Sequence, residues 1–329
     1  MKKRISVVFL LAALCIFSSN NAFAAWTQAK GHSYNQLGFS YYKTTEKFTT
    51  LHRDASGTLE TTSGSIIKED QEKFTSKKIS YYGEYGITDK VTLVLSVPYD
   101  WQRSNDTLRF AEERGPSGVG DINLGLRYQL VPNLFGSGVL MSAQGEVKIP
   151  EAYKFGHPLL NLSQGDGQYD TSFALKFGRG LPKGYLWLDV GYKYRFENDK
   201  FEEYKPSDQF KVAFGGGYPI VSWLSLTGYL EWSKAVGNAR VSDELVVRSF
   251  STGLSAATAK DELIKDTLSL EKDDMSVYVG LQFNLPAKHK AVPNSIVVSY
   301  ARDIEGFGEF KTKNNALGKT IGLALVYIR

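Results

Sequence analysis

Cysteine is almost absent: Cys15 is the single one in 329 residues. It lies in a segment with the features of a secretory signal peptide, a basic start at residues 2–4 followed by an apolar run from Val7 to Phe17. Because that run is too short to span a membrane, we expect cleavage after Ala24. The mature chain would then hold no thiol, which excludes disulfide bonds, thiolate metal sites and cysteine nucleophiles.

A large excess of one charge is also absent. The full sequence has 39 Lys and Arg against 35 Asp and Glu, with a pI of about 8.8. Three of the basic residues belong to the signal segment, which leaves 36 against 35, a formal charge of +1. No basic cluster is interleaved with aromatic residues, so we expect no nucleic-acid partner.

Long apolar runs are missing beyond residue 24, where no segment reaches the roughly 18 apolar residues of a membrane-spanning helix. The mean hydropathy of −0.25 would suit a soluble protein. A transmembrane β-barrel also has such a composition, because only every second residue of its strands contacts lipid.

Two-residue alternation is what the sequence does contain. The stretch 83–99 shows it first, with two alternating runs joined by Thr88, Asp89 and Lys90, which predicts an antiparallel hairpin. The same pattern predicts twelve strands. They span residues 36–42, 78–87, 91–101, 121–130, 139–149, 169–177, 186–196, 210–218, 224–232, 275–285, 295–302 and 320–328.

The predicted connections alternate in length. Short ones fall at 88–90, 131–137, 178–184, 219–223 and 286–294, whereas 44–76, 102–120, 150–168 and 233–274 are long. A soluble sandwich would also alternate along its strands, but it would have no reason to sort its loops by length. We therefore predict an all-β fold for residues 25–329, a single transmembrane antiparallel up-and-down barrel of about twelve strands with short periplasmic turns and long extracellular loops.

The polar positions of the strands are expected to face the lumen if the apolar positions face lipid. The predicted lumen-lining residues are Glu84, Asn123, Arg127, Gln129, Gln144, Glu146, Lys148, Asp170, Lys176, Asp189, Lys193, Arg195, Lys211 and Glu231. They could hold a transverse field across a narrow aqueous pore, or they could pair and plug the lumen. Tyr82, Tyr229 and Tyr278 share this parity and could stack on aromatic solutes or simply pack.

An enzyme is a weaker interpretation, although outer-membrane barrels with hydrolase activity use a histidine to activate a serine or water. The four histidines, His32, His52, His157 and His289, fall before the first strand or in predicted loops and turns, none on a strand face beside a serine. We therefore predict no catalytic residue and no cofactor. Acidic loop residues such as Asp273 and Asp274 lack a recognisable calcium-loop spacing, so no metal site is predicted.

A mostly structural barrel whose loops bind a partner is another alternative. Residues 241–272 mix apolar residues such as Val246 and Leu254 with a charged run. Strands could continue there beyond the membrane, a short helix could cover the mouth, or the segment could fold inward as a constriction.

Four segments resemble a known family. They are YGITDKVTLVLSVPY (85–99), GVGDINLGLRYQL (118–130), VKIP (147–150) and GDGQYDTSFAL (165–175). In these the chain is similar to the outer-membrane barrels called phenol meta-pathway (MetA) degradation transporters. The resemblance implies a channel in the cell outer membrane that passes small, often aromatic, compounds, with the lipid bilayer and a small-molecule solute as partners.

Overall fold

The computed structural model describes residues 25–53, 59–68, 72–106, 115–156, 163–198, 200, 203–249, 256–286, 289 and 291–329. Its strands are β1 (Ser33–Arg53), β2 (Leu59–Lys68), β3 (Glu72–Thr88), β4 (Val91–Asp106), β5 (Ser117–Val119), β6 (Ile122–Leu134), β7 (Val139–Ile149), β8 (Asp170–Gly180), β9 (Tyr185–Arg195), β10 (Tyr204–Lys205), β11 (Asp208–Val221), β12 (Leu224–Val236), β13 (Arg240–Val241), β14 (Asp274–Asn284), β15 (Ser295–Asp303) and β16 (Asn315–Ile328). Its helices are α1 (Asp243–Ser249) and α2 (Ala256–Glu262), with a π-helical turn at Leu263–Thr267 and a 3-10 turn at Gly308–Phe310. Within the described ranges, no helix is both long and apolar enough to cross a membrane.

Twelve strands close into a barrel, as predicted. Each pairs antiparallel with its neighbour along the chain, and β16 returns to pair with β1 from Tyr34↔Ile328 to Phe48↔Asn315. Each of the twelve predicted strands overlaps one barrel strand. Outside the barrel wall, β2 pairs with β1 and β5 with β4, while β10 and β13 form a separate two-stranded sheet.

The alternation separates an apolar outer face from a polar inner face. On β6, Leu126 and Tyr128 are 52 and 48% exposed, whereas Arg127 between them is 2% exposed. In a closed barrel the exposed apolar face is the one that lipid covers.

Short turns and both described chain ends lie at one end of the barrel, which is therefore the periplasmic end. Ser33 and Arg329 exchange two backbone hydrogen bonds of 2.7 and 2.8 Å. The last residue is Arg329, whose Nη1 donates to Asn294 Oδ1 at 2.7 Å. The guanidinium thus ties the last strand to the β14–β15 turn.

The prediction of a loop at 44–76 was wrong. β1 continues to Arg53, and β2 pairs beside it with His52 opposite Glu60, so His52 lies in a strand and not in a loop. Thr49 is fully buried there and Phe48 is 2% exposed. This stretch is rich in threonine, which favours strands despite its polarity. His157 lies outside the described residues.

A helical cap, formed by residues 239–249 and 256–270, stands at the extracellular end. Leu245 of α1, Ala259 of α2 and Leu263 of the π turn share a buried apolar core with Tyr204 of β10. Lys47 of β1 holds the cap through an ion pair of 2.5 Å with Asp266. In the described part of 241–272 the chain forms short helices, at Asp243–Ser249 and Ala256–Glu262.

Candidate pore

A buried ion pair joins two non-adjacent strands across the inside of the barrel. Arg127 Nη2 of β6 lies 2.8 Å from Glu84 Oε1 of β3, and their side chains are only 2 and 1% exposed. Arg127 Nε donates to Gln144 Oε1 at 2.9 Å, and the Tyr82 hydroxyl donates to Glu84 Oε1 at 2.6 Å. The inner face is concave, so side chains from β3, β6 and β7 can converge there.

The segment before β1, residues 25–30, lies inside the periplasmic end of the barrel. Arg127 Nη1 donates to the Trp26 carbonyl at 2.8 Å, and Ser142 Oγ donates to the Ala25 carbonyl at 2.6 Å. Gln28 Nε2 donates to Glu84 Oε2 at 2.8 Å. A side chain at Gly178 of β8 would collide with the Trp26 ring, so glycine makes room for it.

This N-terminal segment therefore crosses the lumen along the wall from β3 to β8. Sequence reasoning missed it, because AWTQAK has neither periodicity nor a charge pattern that distinguishes a plug from an ordinary terminus.

A second charged cluster lies where the inner face meets the extracellular loops. Lys148 Nζ is 3.4 Å from Asp121, 2.8 Å from Asp166 and 2.9 Å from Asp170. Arg195 Nη2 lies 3.0 Å from Asp166. Three of the segments that carry the family resemblance thus meet at one point, and the Lys148 ammonium occupies the space among the three carboxylates. Within the described part of the chain, no group of three or more metal-ligating side chains could hold a metal ion.

The described residues of the 150–169 loop, 150–156 and 163–169, fold onto this cluster. The Tyr153 hydroxyl donates to Asp121 Oδ1 at 2.5 Å, and the Asn198 amide donates to the Asp166 carbonyl at 2.9 Å. Partial desolvation of the Asp166 carboxyl favours a raised pKa, but the nearby Lys148 and Arg195 outweigh that effect and hold the pKa well below its usual range.

We expect this loop to stay docked in mild acid. A carboxyl whose pKa is lowered in the folded state stabilises the protein above its unfolded pKa of about 3.9 and loses that contribution as the pH falls through the folded value. The Asp166 contribution should therefore be complete between pH 8 and about 5, and decline only below about pH 4. Heat-modifiable gel mobility across this pH range measures the contribution of Asp166 to stability. Asp166→Asn is the test variant, and Glu231→Gln is its control. The expectation would be contradicted if the temperature at which half of the wild-type protein has shifted in mobility fell between pH 8 and 5, and if Asp166→Asn abolished that fall.

The other predicted residues form ion pairs between neighbouring strands, make a single hydrogen bond elsewhere, or stand alone. Lys176 is paired with Asp189 across β8 and β9, and Lys211 Nζ lies 3.4 Å from Glu231 Oε1. Glu146 accepts a hydrogen bond of 3.4 Å from Gln144, and Gln129 accepts one of 3.2 Å from Thr27. Asn123 is half-buried on β6. Lys193 has no carboxylate of a described residue within ion-pair distance.

A cavity of about 610 Å³ occupies the other side of the lumen. Its inner-face aromatic residues are Tyr34, Tyr185, Trp187, Tyr229 and Tyr278. The Tyr229 and Tyr278 rings stack at 4.6 Å with an interplanar angle of 11°, and Gly215 leaves room for Tyr229. No described residue that lines the cavity is charged.

Of the three tyrosines predicted on this parity, Tyr229 and Tyr278 line that cavity, whereas Tyr82 packs between Tyr34 and Glu84. Tyr185 and Trp187 were not predicted as inner residues, although aromatic residues on the otherwise polar parity of β9 are a signal that could have found them.

A smaller cavity of about 420 Å³ lies between residues 163–166 and the opposite wall. Tyr42, Lys78, Asp100 and Gln164 line it, and it shares Ser40 and Thr320 with the larger cavity. The two spaces therefore adjoin along the inner face of β1 and β16.

Among solved structures, the chain is similar to the COG4313 outer membrane channel from Pseudomonas putida F1, with a TM-score of 0.66, 15% identity, and coverage of 94% of this chain and 100% of that one. The translocator domain of the autotransporter NalP from Neisseria meningitidis has a TM-score of 0.46, 7% identity, and coverage of 94 and 90%. The Pseudomonas putida toluene transporter TodX has a TM-score of 0.40, 10% identity, and coverage of 95 and 99%.

At these identities the first similarity demonstrates the fold of an outer-membrane barrel, and the other two add no argument. A search of curated proteins found no match. The model of the family described as "Putative MetA-pathway of phenol degradation" matches residues 72–259, more than half of the sequence. By that match the chain belongs to this phenol-degradation family.

Proposed function

We propose that this protein is a passive outer-membrane channel for small, uncharged aromatic solutes. The observation that carries the proposal is the 610 Å³ cavity, which is lined by aromatic rings and small polar side chains without a charge. Its size is in the range of small-molecule sites, and tyrosine rings offer both a stacking face and a hydroxyl. The family's description refers to phenol degradation, which agrees with an aromatic solute, and the similar solved structure is named as an outer membrane channel.

In this proposal the solute enters through the 420 Å³ space beside residues 163–166 and continues into the larger cavity. The predicted lumen-lining residues form the opposite wall of the path. Because most of their charges are paired with one another, we expect that wall to present little net field to a neutral solute.

A closed barrel with a structural or partner-binding role is the second candidate. The N-terminal segment inside the periplasmic end and the helical cap at the extracellular end favour it. No hydrolase is proposed, because nothing described around the inner charges combines a nucleophile with an activating histidine.

Single-channel recording separates the two candidates. We expect the refolded protein to show discrete ohmic steps in a planar bilayer, and heat-modifiable mobility verifies that the barrel has folded. A folded but silent barrel would refute the channel and favour the structural role.

The aromatic preference is tested by solute block of the ion current. Phenol is expected to block at several-fold lower concentration than cyclohexanol, because ring stacking contributes about 0.5–1.5 kcal/mol. Tyr278→Leu should remove most of this difference. Tyr300→Leu is the matched control, since Tyr300 lies on the neighbouring strand with its ring on the outer face and 44% exposed. Equal block by both solutes in the wild-type channel would count against an aromatic site.

A further inference from the structure

Three basic side chains lie side by side on the outer face of the barrel. Arg302 of β15 is the direct cross-strand partner of Lys319 on β16, and Lys319 is the direct partner of Lys43 on β1. All three are exposed. Like charges at directly opposite positions of a sheet are destabilising, so this row needs an anionic partner to be favourable.

Two more cations extend the row. Lys43 pairs with Thr75 of β3, which pairs with Arg103 of β4, while Lys77 lies opposite Trp101 one step nearer the barrel centre. Within the described chain, no carboxylate lies within ion-pair distance of any of the five. Across the barrel, the outward residues towards the extracellular ends of β8 and β9 are instead Thr171, Tyr192 and Tyr194.

An apolar groove of about 830 Å³ runs along the same wall. Its apolar lining includes Phe39, Tyr41, Ile79, Trp101, Ile321 and Leu323, and its polar lining includes Lys77 and Arg103. A lipid with acyl chains and an anionic headgroup matches both features, because its chains suit the apolar groove and its headgroup suits the row of cations.

The position narrows the choice of lipid. The cations lie on the extracellular half of strands whose other ends form the periplasmic turns, so they face the outer leaflet of the outer membrane. We propose that this wall, formed by β15, β16, β1, β3 and β4, is a binding site for a phosphorylated, multiply acylated glycolipid of the lipopolysaccharide type. Its phosphates contact Lys43, Lys319 and Arg302, and an acyl chain lies in the groove. The proposal does not depend on whether the lumen conducts.

The test compares three forms of the refolded protein in neutral detergent. The first is the wild type, and the second carries Lys43→Gln, Lys77→Gln, Arg302→Gln and Lys319→Gln. The third, a matched control, carries Lys30→Gln, Lys90→Gln, Arg179→Gln and Lys183→Gln, which removes the same charge from exposed positions near the periplasmic end. Arg103 is kept, because its Nη1 also donates to the Gly115 carbonyl at 2.8 Å.

Lipopolysaccharide retained after gel filtration is quantified by native mass spectrometry, and heat-modifiable mobility controls for folding. We expect the wild type and control to retain it equally and the wall variant to retain at least about tenfold less, since each cation near a phosphate contributes about fivefold. Lipopolysaccharide stripped of its phosphates should bind weakly to all three.

The proposal would be overturned if the wall variant retained as much lipopolysaccharide as the wild type, or if the wild type retained dephosphorylated lipopolysaccharide as well as the intact form. Displacement by millimolar inorganic phosphate would also overturn it, since that would mean that the groove contributes nothing. Dimerisation through this face without lipid, measured by mass photometry, would assign the surface to a second copy instead.

Discussion

A chain that begins at His32, without residues 25–31, should have a single-channel conductance at least roughly twofold higher than that of the chain that begins at Ala25. The reason is that a barrel of this strand number has a lumen that one peptide segment can largely fill. The removed segment lies in that lumen, with its backbone carbonyls bound by Arg127 and Ser142 and its Gln28 side chain bound to Glu84. Its loss opens the space along β3 to β8. Single-channel conductance in planar bilayers is the measurement.

The control is to restore the segment in trans. A synthetic AWTQAK peptide on the periplasmic side should lower the conductance of the shortened chain and leave that of the longer one unchanged. Identical conductance of the two chains would show that the segment does not occupy the conducting path. Silence of both would favour the closed barrel.

Loss of the Arg127 guanidinium is expected to have the largest effect on stability. Arg127→Met leaves the Glu84 carboxylate in a site where both side chains are about 1–2% exposed. Breaking a buried ion pair by removing one partner lowers the free energy of unfolding by about 3–5 kcal/mol, because the remaining charge has neither water nor a counter-ion beside it. Urea unfolding of the barrel in lipid vesicles, followed by tryptophan fluorescence, measures this loss.

Lys211→Met is the matched control. Its pair with Glu231 has the same chemistry on the inner face, but both side chains are 36% exposed, so the expected cost is only about 0–1 kcal/mol. The double variant Glu84→Gln with Arg127→Met should recover part of the loss, since no buried charge is left. Equal costs at the two sites, or no recovery, would mean that the 84–127 pair is better hydrated than its burial indicates.

Some of this architecture is local in the sequence. Two-residue alternation places neighbouring residues on opposite faces whatever the strands pair with, so the twelve strands and the polar parity could be predicted from segments such as 121–130. Connection length is also local, and it predicted which barrel end is periplasmic. The stretch 44–53 is mostly polar and lacks apolar alternation, so the sequence pattern does not predict a strand there, whereas in the structure β1 continues to Arg53.

The contacts inside and outside the barrel are not local. Parity put Glu84 and Arg127 on one face, but only curvature of the closed sheet brings β3 and β6 side chains together. The cluster of Lys148 with Asp121 and Asp166 needs a loop to fold back onto the wall. The row of Arg302, Lys319 and Lys43 depends on the register with which β16 closes onto β1.

The sequence by itself therefore determined the strands, their two faces and the orientation, because these follow from spacing along one segment. Tertiary structure alone decided which charges pair, where residues 25–30 lie and which cations share a surface, because these depend on register and closure between segments far apart in the chain.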